Sequence, residues 1–193
     1  VSEELHAHHP QAAMQSDYIW RAAHYPAYTH TDNCYYKCGE EMFEAMLADI
    51  RQAEHYIFLE YFILDRGQMY DRLVAELVKK AQEGVDVRLI YDDVGCMGKM
   101  PAHFYRDLQK NGIKCAAFNP ARPVLAIIMN HRDHRTILVV DGKVAYTGGV
   151  NIADEYINEI DRFGYWKDTG IRLEGAAVRS FLVMFLEMWD YIV

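Results

Sequence analysis

The residues of this chain best suited to chemistry fall in one short stretch, from His131 to Tyr156, reading H-R-D-H-R-T-I-L-V-V-D-G-K-V-A-Y-T-G-G-V-N-I-A-D-E-Y. An imidazole (His134), a hydroxyl (Thr136), an adjacent glycine pair (Gly148, Gly149) and an amide (Asn151) recur there around an apolar centre. Ile137 to Val140 is apolar and largely β-branched and reads as a buried strand. Asp141-Gly142 between two such runs is the signal of a two-residue hairpin turn. That turn predicts Val140 opposite Lys143, Thr136 opposite Thr147 and His134 opposite Gly149. Alternation sends His134 and Thr136 to one face and Arg135 to the other. The glycine pair lets a backbone or a bound anion come close. The expected product is a small polar pocket at one end of a stiff hairpin. An imidazole is suited to proton transfer there, because its ordinary proton affinity lies near neutral pH.

The surrounding elements must position that hairpin. Met42, Phe43, Met46, Leu47 and Ile50 recur at helical spacing from Gly39 to about Ala53. Tyr56 to Leu64 is a nearly continuous apolar run holding one carboxylate, Glu60. A second helix carries Tyr70, Leu73, Val74, Leu77, Val78 and Ala81 on one face and stops at Gly84. Val85 to Tyr91 is a strand that ends in Asp92 and Asp93. Pro101 opens a third helix ending at Gly112, and Ile113 to Phe118 is another strand. Helix and strand alternate, so the predicted fold is α/β: a mixed, mostly parallel sheet with helices on both faces. Residues 168 to 174 supply a further strand, and Ala176 to Val193 a closing helix, apolar nearly all round. Glu60, Asp92 and Asp93 are expected as buried ion-pair partners. Residues 1–33 read as an N-terminal arm with one short helix capped by Ser16, and 34–193 as the folded domain. Asn119 to Met129 is the one long irregular connection.

Composition bounds the function. In 193 residues, 51% hydrophobic content supports one well-packed domain. The net charge of −8 argues against a duplex-DNA enzyme, which would need a basic face. Cys34, Cys38, Cys96 and Cys115 form no zinc spacing and read as reduced thiols. His6, His8 and His9 read as a solvated arm rather than a metal site. No stretch reaches the roughly 18 uninterrupted apolar residues of a membrane span.

The motif residues resemble the signature of the phospholipase D superfamily, H-x-K-x4-D-x6-G-[GS]-x-N. Here it falls on His134, Asp141, Gly148, Gly149 and Asn151, and the spacing fits throughout. Where the family has lysine, this chain has Thr136. Flanking text, including Gly39 to Phe43, Phe58 to Phe62, Tyr91 to Gly95, Asn130 to Arg135, Gly149 to Tyr156 and Phe163 to Thr169, is similar to bacterial cardiolipin synthases. The resemblance covers residues 34 to 193. It implies phosphatidyl transfer between two phosphatidylglycerol molecules through a phosphohistidine, giving cardiolipin and glycerol without metal or cofactor. It implies His134 as nucleophile or acid, and an acidic residue on the following strand, here Asp168, orienting it. Asn151, Thr136 and Gly149 are then the phosphate-binding residues, while Asp141 and Gly148 are structural. Family members pair two signatures and carry N-terminal membrane helices. This chain, starting at Val1 with one signature, is therefore expected to be the first half of a longer enzyme. Its implied partners are the second half or a second copy and, through those helices, the cytoplasmic side of the cell membrane. The alternatives are a homodimeric phosphodiesterase or nuclease of the same superfamily, and a silent half that scaffolds its partner.

Overall fold

The computed structural model describes residues 2–121 and 131–193. The predicted irregular connection over 119–129, and Asn130, therefore lie largely outside the described residues. After two N-terminal helices, α1 (Ser2–His8) and α2 (Pro10–Ala23), come β1 (Thr31–Tyr36), α3 (Gly39–Arg51), β2 (Tyr56–Tyr61), α4 (Gln68–Gln82) and β3 (Asp86–Asp92). A short turn of helix α5 (Asp93–Cys96), α6 (Tyr105–Lys110), β4 (Lys114–Phe118), β5 (Ile137–Val140), β6 (Val144–Gly148), β7 (Gly170–Gly175) and α7 (Val178–Ile192) follow. A 3-10 turn, Asp154–Ile157, interrupts the connection from β6 to β7.

Among the described residues the seven strands form one sheet in the order β1-β7-β6-β5-β2-β3-β4. The α/β class with helices on both faces holds. The sheet is mostly antiparallel, however, not mostly parallel. Only β2–β3 and β3–β4 are parallel pairs, and the other four neighbouring pairs are antiparallel. The reason is connectivity. Crossover helices α4 and α6 return the chain to the same sheet edge and enforce parallel pairing. After β4 no crossover helix intervenes among the described residues, and the strands fold back on their neighbours.

Two apolar layers fix the sheet. Met42, Phe43, Met46, Leu47 and Ile50 of α3, with Met69, Leu73 and Leu77 of α4, pack on Ile57, Leu59, Leu89, Leu138 and Tyr146. On the opposite face Val178 of α7 joins Ile137, Val139 and Ala145, while Phe185 joins Phe58 and Ile90. Successive residues of β5 thus enter opposite layers, and all four are buried, as a central strand requires. Outward-facing α7 residues such as Tyr191 stay exposed, so the helix is not enclosed all round.

Three local expectations need correction. The arm is not one short helix capped by Ser16. Helix α2 starts at Pro10, a residue suited to the first helical turn, and Ser16 lies inside it. The helix expected from Pro101 forms only over α6, after a turn at residues 102–104 in which His103 takes a φ of 63°. The hairpin is also one residue longer than expected. Asp141 and Gly142 both take positive φ, 53° and 63°, and Lys143 N–H donates to Val140 O at 2.9 Å, as the predicted turn demands. Lys143 is then left over as a bulge residue, and pairing resumes as Val140 with Val144 and Ile137 with Thr147. Thr136 consequently faces Gly148 rather than Thr147. No helix among the described residues is long and apolar enough to cross a membrane.

Candidate active site

Strand directions gather the candidate residues at one end of the sheet. β2 and β3 end there, β5 starts there, β6 ends there, and β7 starts there. Phe62, Asp92, residues 131–136, Gly148, Gly149, Asn151 and Asp168 therefore share that end. It is the carboxyl end of the parallel strands, where clefts of such sheets form. Asp141 is at the other end of the hairpin. Its side chain is almost fully buried and accepts three backbone N–H groups, from Glu54, His55 and Tyr56, at 2.8 to 2.9 Å. Those bonds hold its carboxyl below the usual aspartate range, against the opposing effect of burial. Asp141 anchors the hairpin to the start of β2.

His134 is exposed and stacks on Phe62, ring centroids 3.9 Å apart and planes 24° from parallel. Among the described residues it makes no hydrogen bond or ion pair. Its position comes from its neighbours in the chain. Arg132 Nη1 lies 3.3 Å from Asp92 Oδ1, and Asp133 N–H donates to Asp92 Oδ2 at 3.2 Å. Asp92 also accepts Gly95 N–H at 2.9 Å and so caps α5. Arg135, on the α7 face with Ile137 and Val139, binds Asp133 at 3.0 Å and reaches Glu60 at 2.7 Å. Asp92 fills its expected ion-pair role with Arg132, whereas Glu60 has Arg135 beside it but keeps its proton. Asp93 differs, because its carboxylate accepts Ala121 N–H at 2.7 Å.

Glu60 is only 1% exposed. Arg135 Nη2 approaches its Oε1 without the alignment of a hydrogen bond, so the guanidinium gives charge but not a proper bond. Burial, and then the neighbouring Asp133 carboxylate, push Glu60 up to about 9, while Asp133 is held below the usual aspartate range. The two form a carboxyl–carboxylate pair with the proton on Glu60.

Three predicted site residues take other partners. The Thr136 hydroxyl, buried to 5% exposure, donates to Gly148 O at 2.5 Å and accepts Gly148 N–H at 3.2 Å. It ties the start of β5 to the end of β6. Asn151 accepts Ile63 N–H through Oδ1 at 3.0 Å and donates to Tyr156 Oη at 3.3 Å, leaving one Nδ2 proton uncommitted. It fixes the segment that carries Phe62. Asp168 accepts Thr169 N–H at 2.8 Å and Trp166 Nε1–H at 3.3 Å, and no bond joins it to His134. The glycine pair is explained by backbone and carboxylate approach. A β-carbon on Gly148 would lie 2.4 Å from Thr169 O, and one on Gly149 would lie 2.1 Å from Asp168 Oδ1. Phe62 was invisible in the sequence as a site residue, since one more aromatic in an apolar run carries no separate signal.

The cardiolipin synthase, PLD-like domain family matches residues 46–162, more than half of the chain. This chain belongs to that family. An uncharacterized protein of Streptococcus mutans is 44% identical over 187 residues, covering 97% of this chain and 41% of that protein. Cardiolipin synthase 2 of Staphylococcus epidermidis is 37% identical over 166 residues, covering 85% of this chain and 34% of that enzyme. The chain thus spans well under half the length of these relatives. Among solved structures, NucT from Helicobacter pylori aligns with a TM-score of 0.65 at 10% identity, covering 85% of this chain and 99% of that one. At that identity the likeness speaks for the fold of this PLD-like domain alone.

Proposed function

We propose that this PLD-like domain is one catalytic half of a phosphatidyltransferase that makes cardiolipin from phosphatidylglycerol. The observation that carries the reading is His134. It is the exposed imidazole at the family's signature position, held on a segment braced by the Arg132–Asp92 and Arg135–Asp133 ion pairs and stacked on Phe62. In this reading an imidazole nitrogen attacks phosphorus and the bond to the glycerol oxygen breaks. A second histidine, from the other half, protonates the departing glycerol. The hydroxyl of a second phosphatidylglycerol then displaces the histidine, giving its proton to the group that acted as acid. The assignment of nucleophile and acid between the halves is interchangeable. Splitting the reaction retains the energy of the phosphodiester for a second alcohol. The half-domain extends over 34–193, with 1–33 as an N-terminal arm, and its natural partner is a second half or copy at a membrane surface.

Thr136 favours a second reading, a half that scaffolds without turning over. A lysine at that position would stabilise charge on the phosphate oxygens. Removing one such donor typically costs about 2.7–4 kcal/mol of barrier, and here the hydroxyl is already engaged by Gly148. The test follows products. Phosphatidylglycerol vesicles are given to this chain alone and to a longer protein carrying it with a second signature. The expected result is no turnover by the chain alone, and glycerol and cardiolipin in equal amounts from the longer protein. Phosphatidic acid as the main lipid product, or cleavage of DNA, would overturn the transferase reading.

A further inference from the structure

A concavity at the end of β3, at the same end of the sheet as His134, plays no part in the chemistry above. It has a volume of about 340 Å³, at the small end of the range for ligand pockets, and its walls include Tyr91, Cys96, Met97, Met100 and Phe104. Tyr91 and Phe104 face each other with ring centroids 4.8 Å apart. The methionines add unbranched, polarizable walls that adapt to flexible apolar ligands.

The groove is linked to the imidazole through two packed residues, Gly95 and Phe62. A β-carbon on Gly95 would lie 2.1 Å from Phe62 O and 3.0 Å from its ring, so the α5 backbone rests directly on Phe62. Phe62 in turn stacks on His134 at 3.9 Å. Cys96, the next residue, lines the groove and accepts Leu64 N–H through Sγ at 3.4 Å. Gly95 and Phe62 therefore lie between the groove and the imidazole. The lining contains no lysine or arginine, its one imidazole, His103, lies 3.4 Å from the Tyr105 hydroxyl, and its one carboxylate, Asp93, is bound to Ala121 N–H. Such a groove does not attract a phosphate. Its rim is apolar and open: Met97 is 60% exposed, beside Val94 at 36%. Exposed apolar side chains clustered at a groove mouth mark a surface that meets something apolar.

We propose that this groove holds an acyl chain of the phospholipid whose phosphate is carried at His134, an inference that rests on the phosphatidyl-transfer reading. The carboxyl end of β2 then holds the head group on the imidazole side of Phe62 and the tail on the other.

The test uses this chain and a short-chain phosphatidylglycerol with a photoreactive diazirine at one acyl terminus, below its micelle concentration. Labelled peptides are mapped by mass spectrometry. Labelling is expected within residues 91–105. Met97→Asp, at an exposed position that the fold tolerates, is expected to reduce it at least fivefold. Labelling spread over other surfaces, or unchanged in Met97→Asp, overturns the groove. Deacylated glycerophosphoglycerol provides the separate arm. It should displace the probe from the parent chain and fail to do so from His134→Ala. Groove labelling that it never displaces would support the apolar site and contradict the phosphate site at His134.

Discussion

His134 is aimed by buried charge next to it in the chain rather than by a hydrogen bond of its own, and that has a measurable pH signature. Glu60 keeps its proton in the folded state because burial and Asp133 oppose its ionisation, with Arg135 opposing them in part. Tyr25 near Arg135, whose hydroxyl donates to Glu187, is itself pushed up to about 12 by burial and that carboxylate and stays neutral over the range of interest. The unfolded chain releases the Glu60 proton near the ordinary glutamate value of 4.5. Between those values the folded state binds more protons, so this group's contribution is complete below about 4.5 and declines as pH rises towards 9. One proton sets a limit of about 1.4 kcal/mol per pH unit. Glu60→Gln keeps the shape and the donor to Asp133 but cannot ionise. Urea denaturation from pH 5 to 9 is expected to show the variant gaining on the parent steadily as pH rises. Parallel stability curves would mean that Glu60 is ionised in the fold.

At the scale of elements, the β5–β6 hairpin and its contact with β7 hold the site end together. Gly148 meets backbone on the β7 side, Thr169 O and Gly170 Cα, and backbone cannot step aside. Gly149 meets only the end of the Asp168 side chain, which can rotate away at the loss of its bonds to Thr169 and Trp166. Gly148→Ala is therefore expected to destabilise by roughly 1–3 kcal/mol, more than Gly149→Ala. Chemical denaturation of the two variants checks the order, and equal or reversed losses would contradict the packing described. The helices and strands from Gly39 to Tyr91 were legible because their apolar periods are strong and their ends carry glycine. The Asp141-Gly142 turn was legible because its residue types tolerate positive φ. The bulge at Lys143 was not, since one extra residue leaves no mark in an apolar–polar pattern. That single residue moved Thr136 onto Gly148. The partners of Asn151 and Asp168 were hidden for a related reason. They come from Ile63, Tyr156 and Trp166, and spacing within a motif says nothing about donors brought from elsewhere. The direction of the sheet was misjudged by extending the β2–β3–β4 alternation into a region where hairpins take over.

For the molecule as a whole, seven strands bring the signature imidazole of His134, a braced arginine-rich segment and an apolar groove to a single sheet end. In the proposed reaction the other half supplies a second signature histidine. Whether His134 reacts or merely sits in a scaffold is the central question, and His134→Ala in the longer protein carrying this chain answers it. Among the described residues the exposed ring makes no hydrogen bond or ion pair and stacks on Phe62, so stability is expected to stay within about 1 kcal/mol of the parent. Cardiolipin formation is expected to fall by roughly 10²–10⁴-fold or more, the range of a general acid or base at minimum. Synthesis within threefold of the parent, at unchanged stability, would contradict the account and make this half a scaffold.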